Sequence, residues 1–222
     1  MNVMVSTVGT SMLTKILSPN DQAYLRDNAS ALMGDATMIM ILQRAVAFLK
    51  SNPEIIMKSA EIATLSLYAQ RVASVEFVVP DTHYVFIATN TAQGRCCAHV
   101  IGGFLQYRYG LTVQIYEIQG LQVHNSSSLD DAFLEFAQFL DDLRQRFAIA
   151  RANQGWWGRL NSLPNARMIL NITGGFKIVS AWVQSYATLQ GITTIYKYES
   201  GDTLIVMTTT APATPAKIAF YV

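Results

Sequence analysis

The chain has 222 residues, of which 51% are hydrophobic and only 14% are charged, and its formal net charge is +1. This balance excludes a bulk electrostatic field that would recruit long nucleic acid or an anionic membrane. The composition is typical of a compact protein with a substantial buried core, so any anion it binds must be held by a local site.

The sequence carries no obvious targeting or membrane signal. The first residues, MNVMVSTVGTSML, lack the basic start of a signal peptide, and no segment offers about 20 uninterrupted apolar residues for a spanning helix. The only cysteines are the neighbours Cys96 and Cys97, which favours two small buried hydrophobic residues over a disulfide or a zinc site. We therefore expect a cytoplasmic protein that contacts no membrane.

The first half of the chain alternates apolar strands with helices. NVMVST is predicted to be a buried strand that Gly9 closes. Helices are expected over SPNDQAYLRDNASAL, DATMIMILQRAVAFLKSN and NPEIIMKSAEIATLSLYAQRVA, and Ser18–Pro19 and Asn52–Pro53 begin two of them. HYVFIAT is a second buried strand, and NTAQGRCCAHVIGGFLQYRYG is a helix that ends at Gly110.

The second half continues this pattern. LTVQIYEIQG is a strand, and SLDDAFLEFAQFLDDLRQRFAIA is an amphipathic helix that Ser128 caps, with an apolar stripe suited to a core face or a dimer contact. After a loop with Trp156 and Trp157, which could pack or stack on a base, ARMILNI is a strand and GFKIVSAWVQSYATLQG a helix. TTIYKYES, DTLIVMTT and AKIAFYV are predicted as three further strands.

Continuous apolar strands between amphipathic helices predict an α/β fold. We expect a Rossmann-like, mostly parallel sheet with helices on both faces and a small C-terminal β extension. Residues 1–200 would form the main domain, and residues 201–222 the extension of that same domain.

Ligands of such sheets bind at the carboxyl ends of the strands, near the point where the strand order reverses. Three loops at these ends combine glycine, hydroxyls and small residues: STVGTSM, TNTAQGR and NITGGFK. Turns of this kind at helix N-termini hold anions. The candidate ligand-binding residues are Thr7, Gly9, Thr10, Asn90, Thr91, Gly94, Arg95, Thr173, Gly174, Gly175 and Phe176.

Familiar phosphate motifs do not fit these loops. Lys177 follows Phe176 and precedes Ile178, so the lysine–hydroxyl pair of a P-loop is missing, and TVGTSM has one glycine where a dinucleotide fingerprint needs three. No acidic pair accompanies the loops, so we expect a metal-independent site without a cofactor. The histidines, His83, His99 and His124, are scattered, and no nucleophile elbow surrounds Ser11.

The residues taken singly leave alternatives open. Gly174–Gly175 could be a tight turn alone, and Ser11 could be a helix cap. Lys177 could be a solvated first-turn lysine, although a positive charge there opposes the helix dipole. Arg95 could be a phosphate ligand or a surface charge.

Taken together, VSTVGTSML, ATNTAQGRCCAHVI, IQGLQV and LNITGGFK, with KSAEIATLSLY, resemble the CARF family, the CRISPR-associated Rossmann-fold domains of type III CRISPR systems. The resemblance covers about residues 3 to 200. It implies that the chain binds cyclic oligoadenylates across a symmetric homodimer interface. Ser11 and Lys177 match the serine and the lysine that are linked to ring cleavage in stand-alone members.

The resemblance therefore implies a ring nuclease that opens its cyclic messenger and switches off type III CRISPR signalling. Cyclic tetra-adenylate suits a two-fold site, and cyclic hexa-adenylate is the main rival. A HEPN effector fused to this chain is not expected, because Arg95 and His99 are too close together for its motif. The alternatives are a non-catalytic sensor that signals to a partner, and a Rossmann-like enzyme for another nucleotide.

Overall fold

The structure is a computed structural model. It describes residues 2–75, 79, 81–121, 126–152, 167–175, 177–198, 201–208 and 217–221. Within 126–152 it describes the side chains of residues 129–147, and for 217–221 it describes the backbone alone. Predicted features at Trp156, Trp157, His124 and Phe176 lie outside these ranges. The predicted cap at Ser128 is wrong, because the helix already begins at Ser126 and Ser128 lies within its first turn.

Seven strands form one sheet in the order β3-β2-β1-β4-β5-β6-β7. The pairs among β1 to β5 are all parallel. β6 pairs antiparallel with β5, and β7 pairs antiparallel with β6. The predicted mostly parallel sheet with a C-terminal β extension is therefore confirmed. The strands are β1 Asn2–Thr7, β2 Thr82–Thr89, β3 Val113–Ile118, β4 Arg167–Asn171, β5 Thr193–Lys197, β6 Leu204–Thr208 and β7 Lys217–Tyr221.

Helices connect the strands and cover both faces of the sheet. Ser18 accepts a hydrogen bond from the Asp21 N–H at the start of the second helix, and Gly110 ends the fifth in the left-handed region at φ 67°, both as predicted. The helices are α1 Leu13–Ile16, α2 Pro19–Asp27, α3 Ala36–Ser51, a 3₁₀ helix Pro53–Lys58, α4 Ala60–Arg71, α5 Ala92–Tyr109, α6 Ser126–Ala152 and α7 Lys177–Gln190.

The side chains of each strand alternate between two buried cores. Met4 and Phe86 pack with the apolar faces of α1 to α5 on one side of the sheet. Val5 and Ile87 pack on the other side with residues such as Phe136 of α6 and Val183 of α7. This alternation explains why the central strands are apolar throughout, since both of their faces are covered.

One segment that is predicted to be a single helix forms two helices. The segment expected as a single helix from Pro53 is a 3₁₀ helix to Lys58, followed by a new helix from Ala60. Ser59 separates them, because its backbone is extended (φ −72°, ψ 124°) and its hydroxyl accepts from the Ile62 N–H. A serine that satisfies a free N–H favours a new helix start over continuation. This break sets the position of Glu61 in the first turn of α4.

Candidate functional site

The loops that follow β1 and β4 meet at the centre of the sheet. The two strands are parallel neighbours, and the strand order reverses between them. Thr7 at the end of β1 donates a 2.6 Å hydrogen bond to the Gly174 carbonyl oxygen. A Cβ built on Gly9 would lie only 3.0 Å from the Gly175 nitrogen, so a side chain there would press the loops apart. Gly175 itself has φ +87°, which favours glycine.

A cavity of about 600 Å³ lies over this junction. Six residues of the two loops that the sequence singled out line it: Gly9, Thr10, Ser11, Thr173, Gly174 and Gly175. Ser11 is exposed and leads into α1. The structure therefore brings together the loops after β1 and β4, as the sequence predicted.

Lys177 lies on the other side of the Gly174–Gly175 turn. It is the exposed first residue of α7 and lines a second cavity, of about 590 Å³. Thr173, Gly175 and Tyr198 line both cavities and form the ridge between them. Within one protomer, Ser11 and Lys177 thus line neighbouring cavities rather than one.

Thr7 is a linking residue rather than a group open to a ligand. Its side chain is buried, and its hydroxyl is committed to the Gly174 carbonyl oxygen. Thr173 is engaged in a similar way: its hydroxyl oxygen lies 2.8 Å from Thr64 Oγ1 and accepts from the Lys197 N–H. Both threonines hold the loop after β4 against the elements around it.

Contrary to the prediction, the loop after β2 does not line the cavity. Of this segment only Thr89, the last residue of β2, lines it. Thr91 caps α5 by accepting from the Gly94 N–H, and Asn90 donates to Gln119 Oε1 at 2.7 Å. A Cβ on Gly94 would overlap Thr89 Oγ1 and lie 2.6 Å from the Thr89 carbonyl oxygen, so this glycine allows α5 to pack on β2.

The interpretation of Arg95 as an exposed charge is wrong, and its surroundings do not suit a phosphate ligand. Arg95 is only 6% exposed. Its Nε forms a 2.7 Å ion pair with Glu117 of β3, and its Nη1 donates to the Ala31 carbonyl oxygen. The guanidinium therefore ties α5 to β3 and to the segment after α2.

Glu61 is the main site residue that the sequence reasoning missed. It lies in the first turn of α4, is 2% exposed, and lines the first cavity. Its Oε1 accepts from the Gly9 N–H at 2.5 Å, and its Oε2 accepts from the Ser59 hydroxyl at 2.5 Å. Burial raises the pKa of the Glu61 carboxyl, while the hydrogen bonds from Ser59 and Gly9 partly oppose that rise.

Glu61 also contacts the second glycine loop. A Cβ on Gly174 would overlap Glu61 Oε1, so only glycine fits between the carboxyl and the turn. Asn171 at the end of β4 donates to the Glu61 backbone carbonyl oxygen at 3.0 Å. The first turn of α4 thus lies against both loops, and a serine cap followed two residues later by glutamate was the available sequence signal.

Three lysines line the first cavity and were not predicted. Lys15 comes from α1, Lys58 from the 3₁₀ helix and Lys197 from the end of β5. Lys197 Nζ also donates to the Gly201 carbonyl oxygen at 2.7 Å. These cations suit a ligand that carries several negative charges.

The cysteines and the described histidines lie outside both cavities. Cys96 and Cys97 are free and buried, as predicted, and burial raises the pKa of the Cys96 thiol to about 12. Burial lowers the pKa of His99 on α5. His83 Nε2 lies 3.2 Å from Gln114 Oε1 on the neighbouring strand.

Among the described residues, neither a metal site nor a membrane-spanning helix is found. No group of three or more histidine, cysteine, aspartate or glutamate side chains there is placed to hold a metal ion. No helix within the described ranges has the length and apolar character needed to cross a membrane.

Comparison with known proteins identifies a family. No curated protein shows a significant sequence match to the chain. Residues 57–209, more than half of the chain, match the family model described as CRISPR-associated protein (Cas_APE2256). The matched range includes Glu61 and the Gly174–Gly175 turn, and β1 with its loop precedes it. The chain therefore belongs to the Cas_APE2256 family of CRISPR-associated proteins.

Proposed function

We propose that the chain is a CARF-type ring nuclease, which binds a cyclic oligoadenylate where β1 and β4 end and opens it. One observation carries the proposal: the two glycine-containing loops touch where β1 and β4 end, beneath a cavity that Ser11 and three lysines line. The CRISPR-associated family supports this class of ligand. The two adjoining cavities suit a ligand larger than one nucleotide, with a phosphodiester seated across Gly175.

Cyclic tetra-adenylate is the favoured ligand, bound across the two-fold axis of a homodimer, with cyclic hexa-adenylate as the rival ring. A four-membered ring has the even symmetry that a two-fold site requires. Exposed apolar side chains at the same edge support a dimer contact there: Tyr198, 54% exposed, and Ile178, 45% exposed and next to Lys177. Met57 adds apolar surface to the first cavity, against which a base could pack.

The proposed reaction is an internal transesterification. A ribose 2′-oxygen attacks the neighbouring 3′-phosphodiester, loses its proton, and displaces the 5′-oxygen, which takes up a proton. The product is a linear oligoadenylate that ends in a 2′,3′-cyclic phosphate, and no water is consumed. Holding the 2′-oxygen in line with the leaving oxygen supplies most of the acceleration. Lys177 would stabilise charge on the reacting phosphate, and Ser11 would hold one of its oxygens.

The second candidate is a non-catalytic sensor that signals to a partner. The separation of Ser11 and Lys177 into neighbouring cavities favours it, since both groups must reach one phosphate for the proposed chemistry. A ring that bridges Gly175, or a partner subunit that supplies one of the two residues, would bring them together.

The test is to incubate the purified protein with cyclic tetra-adenylate in excess EDTA and to identify the products by mass. The Ser11→Ala and Lys177→Ala variants are compared with Ser185→Ala and Lys50→Ala. These controls remove the same groups from exposed positions on α7 and α3 that line neither cavity.

We expect a linear product with a 2′,3′-cyclic phosphate from the wild type and from both controls, and strongly reduced product from the two site variants. Tight binding with an intact ring would replace the nuclease by the sensor. If rings of three to six nucleotides are neither bound nor cleaved, the proposed function is wrong.

A further inference from the structure

A buried carboxyl group lies in the wall of a cavity that otherwise suits an anion. Glu61 contacts both glycine loops through Gly9 and Gly174, yet the proposed reaction assigns it no role. Its burial and its hydrogen bonds to two different elements show that its position is fixed. A negative charge at this place opposes the binding of a phosphate, because like charges repel strongly where water is excluded.

We propose that Glu61 positions the two glycine loops and takes up a proton when a phosphate group of the ligand binds beside them. This inference rests on the proposed function, since it concerns the same ligand at the same site. Glu61 is here a positioning residue that acts through the Gly9 backbone and the Gly174 turn.

The hydrogen bonds around Glu61 accommodate both protonation states. When it is ionised, Oε1 accepts from the Gly9 N–H and Oε2 from the Ser59 hydroxyl. When it is protonated on Oε2, the carboxyl O–H donates to Ser59 Oγ, and the serine proton turns away from Glu61. Oε1 still accepts from Gly9, so the loop after β1 stays in place while the charge is removed.

The charged groups around Glu61 come from several elements. Lys15, Lys58 and Lys197 line the same cavity from α1, the 3₁₀ helix and β5, and Lys197 Nζ also forms an ion pair with Asp202 at 3.4 Å. Cys97 of α5 is near enough that Glu61 raises the pKa of its thiol, after the larger effect of burial. A bound phosphate would add its own negative charge beside Glu61, and this repulsion favours the protonated carboxyl.

Burial already raises the pKa of Glu61 in the free protein, which brings proton uptake closer to neutral pH. The sign follows from linkage: a ligand that raises the pKa further binds best at low pH. Its affinity falls as pH rises through the pKa of the free protein and levels off above the pKa of the complex.

Glutamine at position 61 reproduces the protonated form. Its amide oxygen can accept from Gly9, and its amide nitrogen can donate to the Ser59 oxygen. Glu54→Gln is the matched control, because Glu54 is an exposed residue of the adjoining 3₁₀ helix and undergoes the same chemical change.

The experiment is isothermal titration calorimetry with the 2′-deoxy analogue of cyclic tetra-adenylate, which has no attacking hydroxyl and stays intact. Each protein is titrated at several pH values between about 5 and 8, in two buffers of different ionisation enthalpy, which gives the number of protons taken up. Binding of the ribose ring is measured alongside as a check on the analogue.

We expect the wild type and Glu54→Gln to take up as much as about one proton for each Glu61 beside a bound phosphate. Their affinity for the ring then falls by up to about tenfold per pH unit for each proton taken up. Glu61→Gln takes up none of these protons and binds more tightly at the upper end of the range.

Binding by the wild type without proton uptake would overturn this inference and leave the proposed function standing. The same uptake in Glu61→Gln as in the wild type would also overturn it, because another group would then hold the proton. If neither ring binds, the proposed function fails, and this inference fails with it.

Discussion

The loop after β4 and the loop after β2 have similar sequences but different surroundings. Each follows a buried strand, contains threonine and glycine, and brings a basic residue to the start of a helix. The turn at Gly174–Gly175 faces two cavities, and Lys177 is exposed. In the loop after β2, Thr91 caps α5 and Gly94 lets α5 pack on β2. Arg95 is buried in an ion pair.

The difference lies in the partners that the rest of the chain supplies. Glu117 of β3 and the Ala31 carbonyl oxygen engage the basic residue after β2, whereas no described residue pairs with Lys177. A glycine-rich loop at the carboxyl end of a strand is therefore a candidate anion site only where the fold leaves its polar groups unengaged.

The largest expected effect is on the rate of ring cleavage, and it distinguishes Lys177 from Arg95. Lys177→Ala is expected to slow ring cleavage by about 10²–10³-fold, because a charge aimed at the reacting phosphate is lost. Its unfolding free energy should be nearly unchanged, since Lys177 is exposed. Single-turnover cleavage and denaturant unfolding measure the two quantities.

Arg95→Ala is expected to do the reverse. It leaves Glu117 without its ion pair and destabilises the protein by about 1–3 kcal/mol, while the folded fraction cleaves at close to the wild-type rate. A Lys177→Ala protein that cleaves normally, or an Arg95→Ala protein that is stable but does not bind the ring, would contradict these assignments.

The next largest effects are expected from alanine substitutions at Gly94 and Gly174. Gly94→Ala forces Cβ against the Thr89 backbone, which cannot move without distorting β2, so we expect a loss of about 1–3 kcal/mol or more. Gly174→Ala forces Cβ against the Glu61 side chain and should weaken ring binding beyond its effect on stability. Thermal unfolding and calorimetric affinity distinguish the two, and equal loss of ring affinity in both folded variants would contradict the account.

A smaller effect concerns the pH dependence of stability. The pKa of Glu61 is raised in the folded protein, so the stability that this group contributes is fully present below the ordinary glutamate pKa and is lost as pH rises through the raised value. One such group contributes at most about 1.4 kcal/mol per pH unit. Glu61→Gln should remove this part of the slope in urea unfolding, and Glu54→Gln should keep it. An unchanged slope in Glu61→Gln would show that another group is responsible.

The smallest effect tests the cap at the start of α5. Thr91→Ala removes the acceptor of the Gly94 N–H and is expected to destabilise the protein by about 1 kcal/mol. Ring affinity should stay the same, because Thr91 does not line the cavity. Denaturant unfolding measures the stability and ring titration measures the affinity. A clear fall in affinity would indicate that the loop after β2 does contact the ring.

The sequence predicted the parts of the molecule that depend on local pattern. Apolar strands, alternating helices and the loops after β1 and β4 follow from periodicity, glycine and the rule that parallel sheets bind ligands at one edge. The engagement of Arg95 could not be predicted, because Glu117 comes from a different strand. Glu61 was missed for a related reason: it lies on a helix, and only the register of α4 against β1 and β4 brings it to the loops.

The central claim is that the loops after β1 and β4, and not the loop after β2, hold the ring. A crystal structure of the Lys177→Ala variant with intact cyclic tetra-adenylate tests it most directly. We predict ring phosphates within hydrogen-bond distance of residues 10–11 and 174–175, and none against residues 90–95. A ring bound beside Asn90 and Thr91, or away from this edge of the sheet, would contradict the account.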